Sequence, residues 1–283
     1  MDFELPSEDT YQKYIHCTSV FQTIEKISAF YDYLSTRDDS TTVMVAKGPI
    51  NFNYDIYVSL SNTIDSIKRL LELGRINDAF SLIRKYNDAV IIHIYALIAS
   101  EKEEAAFFEE GYSLYDNIVN EWVCGTKRLI EKKEFESKEK AYLKIIQDWD
   151  LQLSKLLFDE EKQKKYGHGR SVGDDNVHYN QWNNFKLNNM SNRCNAEGLR
   201  FLDEVYDAVT LLFIIHFSYL ICLKPEIMLS CDYEYALEEG MELDDYTMNC
   251  AASIVCDMFE HYVETFDKSL ADYLCKCTFL KIR

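Results

Sequence analysis

The sequence predicts an all-α protein, a multi-helix bundle built as one body or as two helical subdomains. Three observations lead there. Only three prolines and nine glycines occur in 283 residues, and strand-rich folds spend both residue types on their many turns. Apolar residues recur at intervals of three and four, the period of a helix buried on one face. Hydrophobic residues make up 47% of the chain, enough for a sizeable core at this length.

The first helix is expected from Glu8 to Arg37, where Tyr14, Cys17, Phe21, Ile24, Ile27 and Tyr31 recur at helical spacing. "DDSTTVMVAKGPINFN" breaks it. Within that break, the β-branched "TTVMV" reads as a short strand without a visible partner, and Gly48 and Pro49 read as a turn. Asp55 to Leu73 is a second amphipathic helix, with Gly74 placed as its C-terminal cap because glycine enters the left-handed region without strain. A third helix follows to about Ser100, making an antiparallel hairpin. "LLELGRINDAFSLIRKY" is similar to the turn of a tetratricopeptide-type repeat, with Ala79 as the small residue that permits close packing. A second copy at a period of about 34 residues is missing, which leaves a helical-repeat scaffold as a secondary reading.

Further helices are expected over Glu101 to Val123 and Lys127 to Lys165. The mixed charge of "EKKEFESKEKAYLK" suits a solvated helix face. Gly167 to Asn176, "GHGRSVGDDN", reads as a loop dividing an N-terminal region, 1–166, from a C-terminal one, 177–283. Helices are then expected over His178 to Asn192, Glu197 to Leu223 and Tyr246 to Phe266, with a shorter segment near Tyr233 and a packed tail, "LCKCTFLKIR". The apolar "AVTLLFIIHFSYLICL", Ala208 to Leu223, is 16 residues long. That is short for a membrane span and better suited to a central core helix.

The formal charge is −18, from 48 acidic and 30 basic side chains. Such a surface repels phosphate backbones and disfavours direct nucleic-acid binding. From Glu226 to Arg283 there are 13 acidic and 4 basic residues, a net of −9. Half of the imbalance therefore lies in about a fifth of the chain, a feature suited to a basic protein partner. "MDFELPSEDT" lacks the basic and apolar regions of a signal peptide. Nine cysteines at irregular spacing are expected to be free, buried and reduced, so the expected location is cytoplasmic.

Motifs for chemistry are sparse. Gly167, Gly169 and Gly173 miss the dinucleotide fingerprint by one residue and lack its strand–turn–helix context. The adjoining basic run "KQKKYGHGR" could attract a phosphate, but a solvated loop is the simpler reading. Phosphate-loop, zinc-protease and nucleophile-elbow patterns do not occur, and the sequence implies no cofactor. Asp257, His261 and Glu264 would share one helix face and are the candidate metal ligands, against the simpler reading of a polar stripe. Cys275 and Cys277 form a C-x-C pair without a companion. His216 within the apolar run reads as a hydrogen-bonded core histidine, although a buried imidazole can also be a switch.

"WNNFKLNNMSNRCNAEGLRFLDEVYDAVTLLFIIHF" resembles the core of all-helical bacterial proteins of the HEPN-like type. The resemblance covers about forty residues. It implies a helical bundle of the kind found among RNA-cleaving toxins and phage-defence effectors. Their site pairs an arginine, a polar residue often asparagine, and a histidine in an R-x(4–6)-H pattern, commonly across a dimer interface. Here the pattern is broken. Arg84 precedes His93 by eight intervening residues, Arg170 precedes His178 by seven, and after Arg193 no histidine occurs before His216. Asparagine hydrogen-bonds but does not exchange a proton near neutral pH.

The Asn-rich "LNNMSNRCNAEGLRF" keeps three readings. Asn195 could cap a helix starting at Ala196. Asn188, Asn192 and Asn195 would share a helical face and could form a polar seam across a bundle or a homodimer. Alternatively Asn192, Arg193 and Asn195 with His178 could bind a phosphate or nucleotide. The functional expectation is a non-catalytic HEPN-like protein acting through a protein partner, in defence or toxin regulation. The alternative is a divergent metal-independent RNase or nucleotide-binding enzyme using Arg193 and His178.

Overall fold

A computed structural model describes residues 8–37, 42–45, 48–106, 132–177, 186–188, 196–230, 235, 239–240 and 249–282. The protein is an all-α bundle, apart from one two-stranded ribbon. Helix α1 spans Glu8–Arg37, and strands β1, Thr42–Val45, and β2, Gly48–Asn51, follow it. Helices α2, Phe52–Glu72, and α3, Ile76–Ala106, form the expected hairpin. After them come α4, Lys132–Trp149, α5, Leu151–Leu157, α6, Glu160–Val177, and α7, Ala196–Leu223. A 3-10 turn, Pro225–Met228, leads towards α8, Ser253–Met258, which runs straight into a π-helical turn, Phe259–Glu264, before α9, Lys268–Cys277.

Side chains with carboxylate or amide oxygens start several of these helices. Asn51 accepts the Tyr54 N–H at 3.0 Å at the head of α2. Asp150 accepts the Gln152 and Leu153 N–H groups, each at 2.9 Å, at the head of α5. Asp267 does the same for Ser269 and Leu270 in α9. Each such cap satisfies donors that the helix itself leaves open. Gly74 ends α2 as the sequence predicts. Its φ is 70°, its N–H reaches the Leu71 carbonyl, and the Arg75 N–H reaches back to Leu70. That pair of reversed bonds is a Schellman closure.

Helix α7 is the axis of the bundle. All residues from Leu211 to Ile221 are buried, as expected of a helix that is apolar on every side. It packs against α1, α3, α6 and α9. Its length and apolarity would let it cross a membrane, yet 72% of its most apolar window is buried inside the protein. One hydrophobic cluster runs from Val20 to Ile282 and joins the regions on both sides of residues 167–176. The α2–α3 hairpin packs into this bundle, with α3 laid against α6 and α7.

Four expectations are corrected. The partner of the "TVMV" strand is the segment read as a turn: Met44 pairs with Pro49 and Val45 with Gly48. In a two-stranded ribbon each strand is an edge, and an edge tolerates proline. The Gly167–Asn176 loop is not a loop, because α6 runs through it. A Cβ added at Gly169 would lie 3.2 Å from the Ala208 Cβ, so this glycine permits a close crossing of α6 and α7 rather than a turn. The helix expected over His178 to Asn192 does not pass Asn188, which forms an antiparallel bridge with Arg75. The helix expected from Tyr246 begins at Ser253, because Cys250 and Ala251 bridge to Lys281 and Leu229. The expected segments at 107–131 and near Tyr233 lie outside the described residues.

Gly167 and Gly169 in α6 make opposite predictions. Gly167 is exposed with open space around its Cβ position. Gly167→Ala should stabilise the protein by about 0.5–1 kcal/mol, through helix propensity alone. Gly169→Leu should cost about 1–3 kcal/mol by overpacking the crossing. Urea unfolding of both variants checks this; equal effects would mean that α6 does not cross α7 at Gly169.

Candidate functional site

The core holds a line of polar groups that a bundle of this kind does not need for burial alone. Tyr31 lies on α1, Tyr86 and His93 on α3, His216 on α7, and Asn53 in the first turn of α2. Tyr86 and His93 are seven residues apart, two helical turns, so α3 presents both on one face. The hydroxyls of Tyr31 and Tyr86 are 2.9 Å apart. Tyr31 Oη lies 2.9 Å from His216 Nδ1, and His216 Nε2 lies 2.9 Å from His93 Nδ1. His93 Nε2 then meets Asn53 Oδ1 at 3.3 Å. Tyr31, Tyr86, His93 and His216 are all within 0% exposure, while Asn53 is half-buried.

The proton positions follow from satisfying each atom once. Among the described residues Tyr86 has Tyr31 as its hydrogen-bond partner and no second acceptor. Its O–H must therefore donate to Tyr31. The Tyr31 O–H then donates to His216 Nδ1, which leaves the His216 proton on Nε2. That N–H donates to His93 Nδ1, and the His93 Nε2–H donates to Asn53 Oδ1. Run the other way, the chain would leave a buried Tyr86 hydrogen without an acceptor, at a cost of about 1–3 kcal/mol. Every group in the favoured direction is neutral. Burial pushes the His93 imidazole down to about 3, with the nearby Lys224 charge adding to the effect. Burial and the neighbouring His93 hold His216 well below the usual histidine range. Burial raises both tyrosine hydroxyls, Tyr31 and Tyr86, above their ordinary value.

The rings are packed as tightly as they are bonded. His93 and His216 meet edge to face with centroids 5.1 Å apart, and Tyr57 lies edge-on to His93 at the same distance. The sequence carried a signal for this pair. "VIIHIY" in α3 and "FIIHFS" in α7 each place a histidine behind two isoleucines on a helix face that must be buried. What the sequence does not carry is the pairing of residues 123 apart.

A second feature is open to solvent. A groove of about 530 Å³ runs between α1 and the α8–π segment. Ala29, Ile254 and Met258 supply apolar lining, and Lys26, Asp257, Glu260, His261 and Thr265 supply the polar side chains. The π turn shapes this wall. Phe259, Tyr262 and Val263 remain in the core, and Glu260 and His261 are left exposed at the groove. Such widened turns are rare and frequently occur at functional sites.

The candidate metal ligands separate here. Asp257 and His261 both line the groove, but Glu264 does not. The face shared by three residues assumed regular α-helical offsets, and the π turn spoils the last of them. Among the described residues no group of three or more histidine, cysteine or acidic side chains could hold a metal ion. His178, Asn192, Arg193 and Asn195 lie outside the described residues, as does Cys194. Asn188 lies within them, in the bridge to Arg75 rather than on a helical face. It donates to the Asp78 carboxylate at 3.0 Å and accepts the Asp78 N–H at 3.4 Å. Arg75 adds an ion pair to Asp78 at 2.5 Å.

Neither a scan against protein-family models nor searches of curated proteins and of solved structures finds a match to this chain.

The direction of the buried chain is testable. Tyr31→Phe orphans both the Tyr86 hydrogen and His216 Nδ1, and should cost about 2–4 kcal/mol. Tyr86→Phe removes only a donor to an oxygen that keeps donating to His216, and should cost about 1 kcal/mol. Equal costs in chemical denaturation would contradict the assigned direction. The pH dependence has a definite sign. Both imidazoles have folded values below the unfolded one, so the unfolded state binds the extra protons. Their contribution is complete above about pH 6.5 and is lost progressively as the pH falls below it, with a limiting slope of about 1.4 kcal/mol per unit for each histidine. Urea midpoints from pH 7 to pH 4 should fall accordingly, and His93→Gln should make the fall shallower.

Proposed function

We propose that this chain is a non-catalytic helical protein that binds a basic segment of a protein partner in the groove between α1 and the π turn. The observation that carries this reading is the groove's composition. Aliphatic side chains line it, Asp257 and Glu260 project at it, and both acids belong to the stretch that holds half of the chain's net negative charge. A lysine or arginine suits such a surface, because its stem packs on apolar groups while its head meets carboxylates. Lys26 on the α1 side offers a cation to an acidic or carbonyl group of the same partner.

The histidines in the core favour a binding role over catalysis. They are bonded to Tyr31, to Asn53 and to each other, and burial keeps them uncharged. This reading extends the HEPN-like resemblance to a member that keeps the helical bundle without the arginine–histidine pair. It places the chain in the cytoplasm of a bacterium, in defence or toxin regulation.

The test is a labelled peptide of alternating lysine and leucine, followed by fluorescence anisotropy. Raising salt from about 20 to about 150 mM should weaken binding several-fold. Asp257→Asn with Glu260→Gln should weaken it by about tenfold at low salt. Glu160→Gln with Glu161→Gln, on the exposed start of α6, should leave it unchanged. Equal losses from the two pairs would mean diffuse charge attraction and would remove the groove from the reading. RNA of mixed sequence should stay intact with the wild-type chain; cleavage lost in both His178→Ala and Arg193→Ala would replace the proposal with the nuclease alternative.

A further inference from the structure

The C-terminal end of α7 meets the C-terminal end of α9, and each carries a cysteine there. Cys222 is the penultimate residue of α7 and Cys277 the last of α9. Their sulfurs lie 3.0 Å apart, although the residues are 55 positions apart in sequence. The surroundings are built rather than loose. Leu270, Ala271 and Leu274 bury one face of α9. The Tyr273 hydroxyl donates to Asp150, the residue that caps α5. The Tyr219 hydroxyl donates to the Ile146 carbonyl at 3.0 Å. The α7 and α9 ends are thus held against the α4–α5 junction, and the two sulfurs are held with them.

We propose that Cys222 and Cys277 form a reversible dithiol–disulfide site, oxidised by a peroxide. A sulfur separation of 3.0 Å decides between the two chemistries open to a thiol pair. Tetrahedral zinc with bonds of about 2.3 Å would hold two sulfurs about 3.8 Å apart. A disulfide bond is about 2.05 Å long, so a small approach of the two side chains closes it. Nor does a third or fourth ligand stand by, since no metal-competent group of three occurs among the described residues.

The two thiols have different roles. Cys277 is exposed and Cys222 is half-buried. The hydrogen bond from Cys222 favours the Cys277 thiolate and lowers its pKa below the ordinary thiol value. The same contact, with burial, raises that of Cys222. Cys277 is therefore the attacking sulfur. Its thiolate bonds to one peroxide oxygen, the O–O bond breaks, and hydroxide leaves, giving a sulfenic acid at Cys277. The Cys222 sulfur then bonds to the Cys277 sulfur and the S–O bond breaks. The departing hydroxide and the one released earlier take up protons as water. In sum, two thiols lose two hydrogens and one peroxide is reduced to two waters. A dithiol reductant reverses the product by exchange.

The product would tie the last helix to the axis of the bundle. The experiment treats the folded wild-type chain with hydrogen peroxide, blocks remaining thiols with iodoacetamide, and maps the peptides by mass spectrometry. The expected result is a Cys222–Cys277 linked peptide that disappears with dithiothreitol and does not form after urea unfolding at the same peroxide dose. Initial oxidation of Cys277 should be about tenfold faster than that of Cys17. Cys222→Ser should let dimedone trap a sulfenic acid at Cys277, and Cys277→Ser should leave Cys222 unmodified over the same time. The proposal is overturned if Cys277 links instead to Cys275 or to a second molecule, or if both thiols stay open to iodoacetamide. Protection of both thiols by zinc ions alone, at one ion per chain, would also overturn it.

Discussion

An imidazole in the middle of a wholly buried helix has to be satisfied from within, and much of this fold follows from that. His216 sits among eleven consecutive buried residues of α7. Two ring nitrogens there need partners, because a buried polar atom without one costs about 1–3 kcal/mol. The partners come from α1 and α3, and the partner on α3 needs one in turn from α2. Four helices are fixed relative to one another by this single requirement. Apolar packing alone would be more permissive, since hydrophobic cores accept repacking at constant volume. A slip of α3 by one residue would place Ile92 or Ile94 where His93 stands. Lys85 or Asn87 would then stand where Tyr86 does, and an imidazole would lose its partner.

The direction of the chain gives it a second property. Each group donates to the next and none carries charge, so the core contributes no electrostatic strain of its own. That matters in a chain with a formal charge of −18, where like charges on the surface already oppose compaction. The surface offsets part of this locally. Lys162 on α6 reaches the capping carboxylate Asp267 at 2.6 Å and the Leu156 carbonyl at 2.6 Å. One ammonium thus joins α6 to the turn before α9 and to the end of α5. Asp257 and Glu260 stand exposed at the groove. The division is clear: neutral polar groups specify the interior, and charged ones are left for contacts outside.

Much of this was legible in the sequence, and the rest failed for identifiable reasons. The apolar run of α7 and the cap at Gly74 are local properties of a few residues, and both stand as read. The glycines at 167 and 169 mislead because a missing side chain has two uses. It can free the backbone to turn, or it can let another helix approach. Sequence composition around Gly167 suggests the first, while the nearness of Ala208 shows the second at Gly169. Pro49 misleads in the same manner, since an edge strand excuses a proline that a central strand would not. The histidine pair escapes because 123 residues separate its members. The candidate trio Asp257, His261 and Glu264 depended on a regular helix, and the chain widens into a π turn at that place.

Asn188 shows how a residue of suggestive composition can serve the fold first. Asn188 both donates to Asp78 and accepts from its backbone N–H. A side-chain amide is suited to this, because it carries a donor and an acceptor on one planar group. The Asp78 N–H belongs to the first turn of α3, where the helix has no acceptor for it. A carboxylate at the same place interacts favourably with the helix dipole and still has lone pairs to share. Arg75 and Asn188 use them. Asn188 is therefore fastened to the turn that Gly74 closes. A substitution that kept only one of the amide's two functions, such as Asn188→Asp, would place two carboxylates together and break the reciprocal contact.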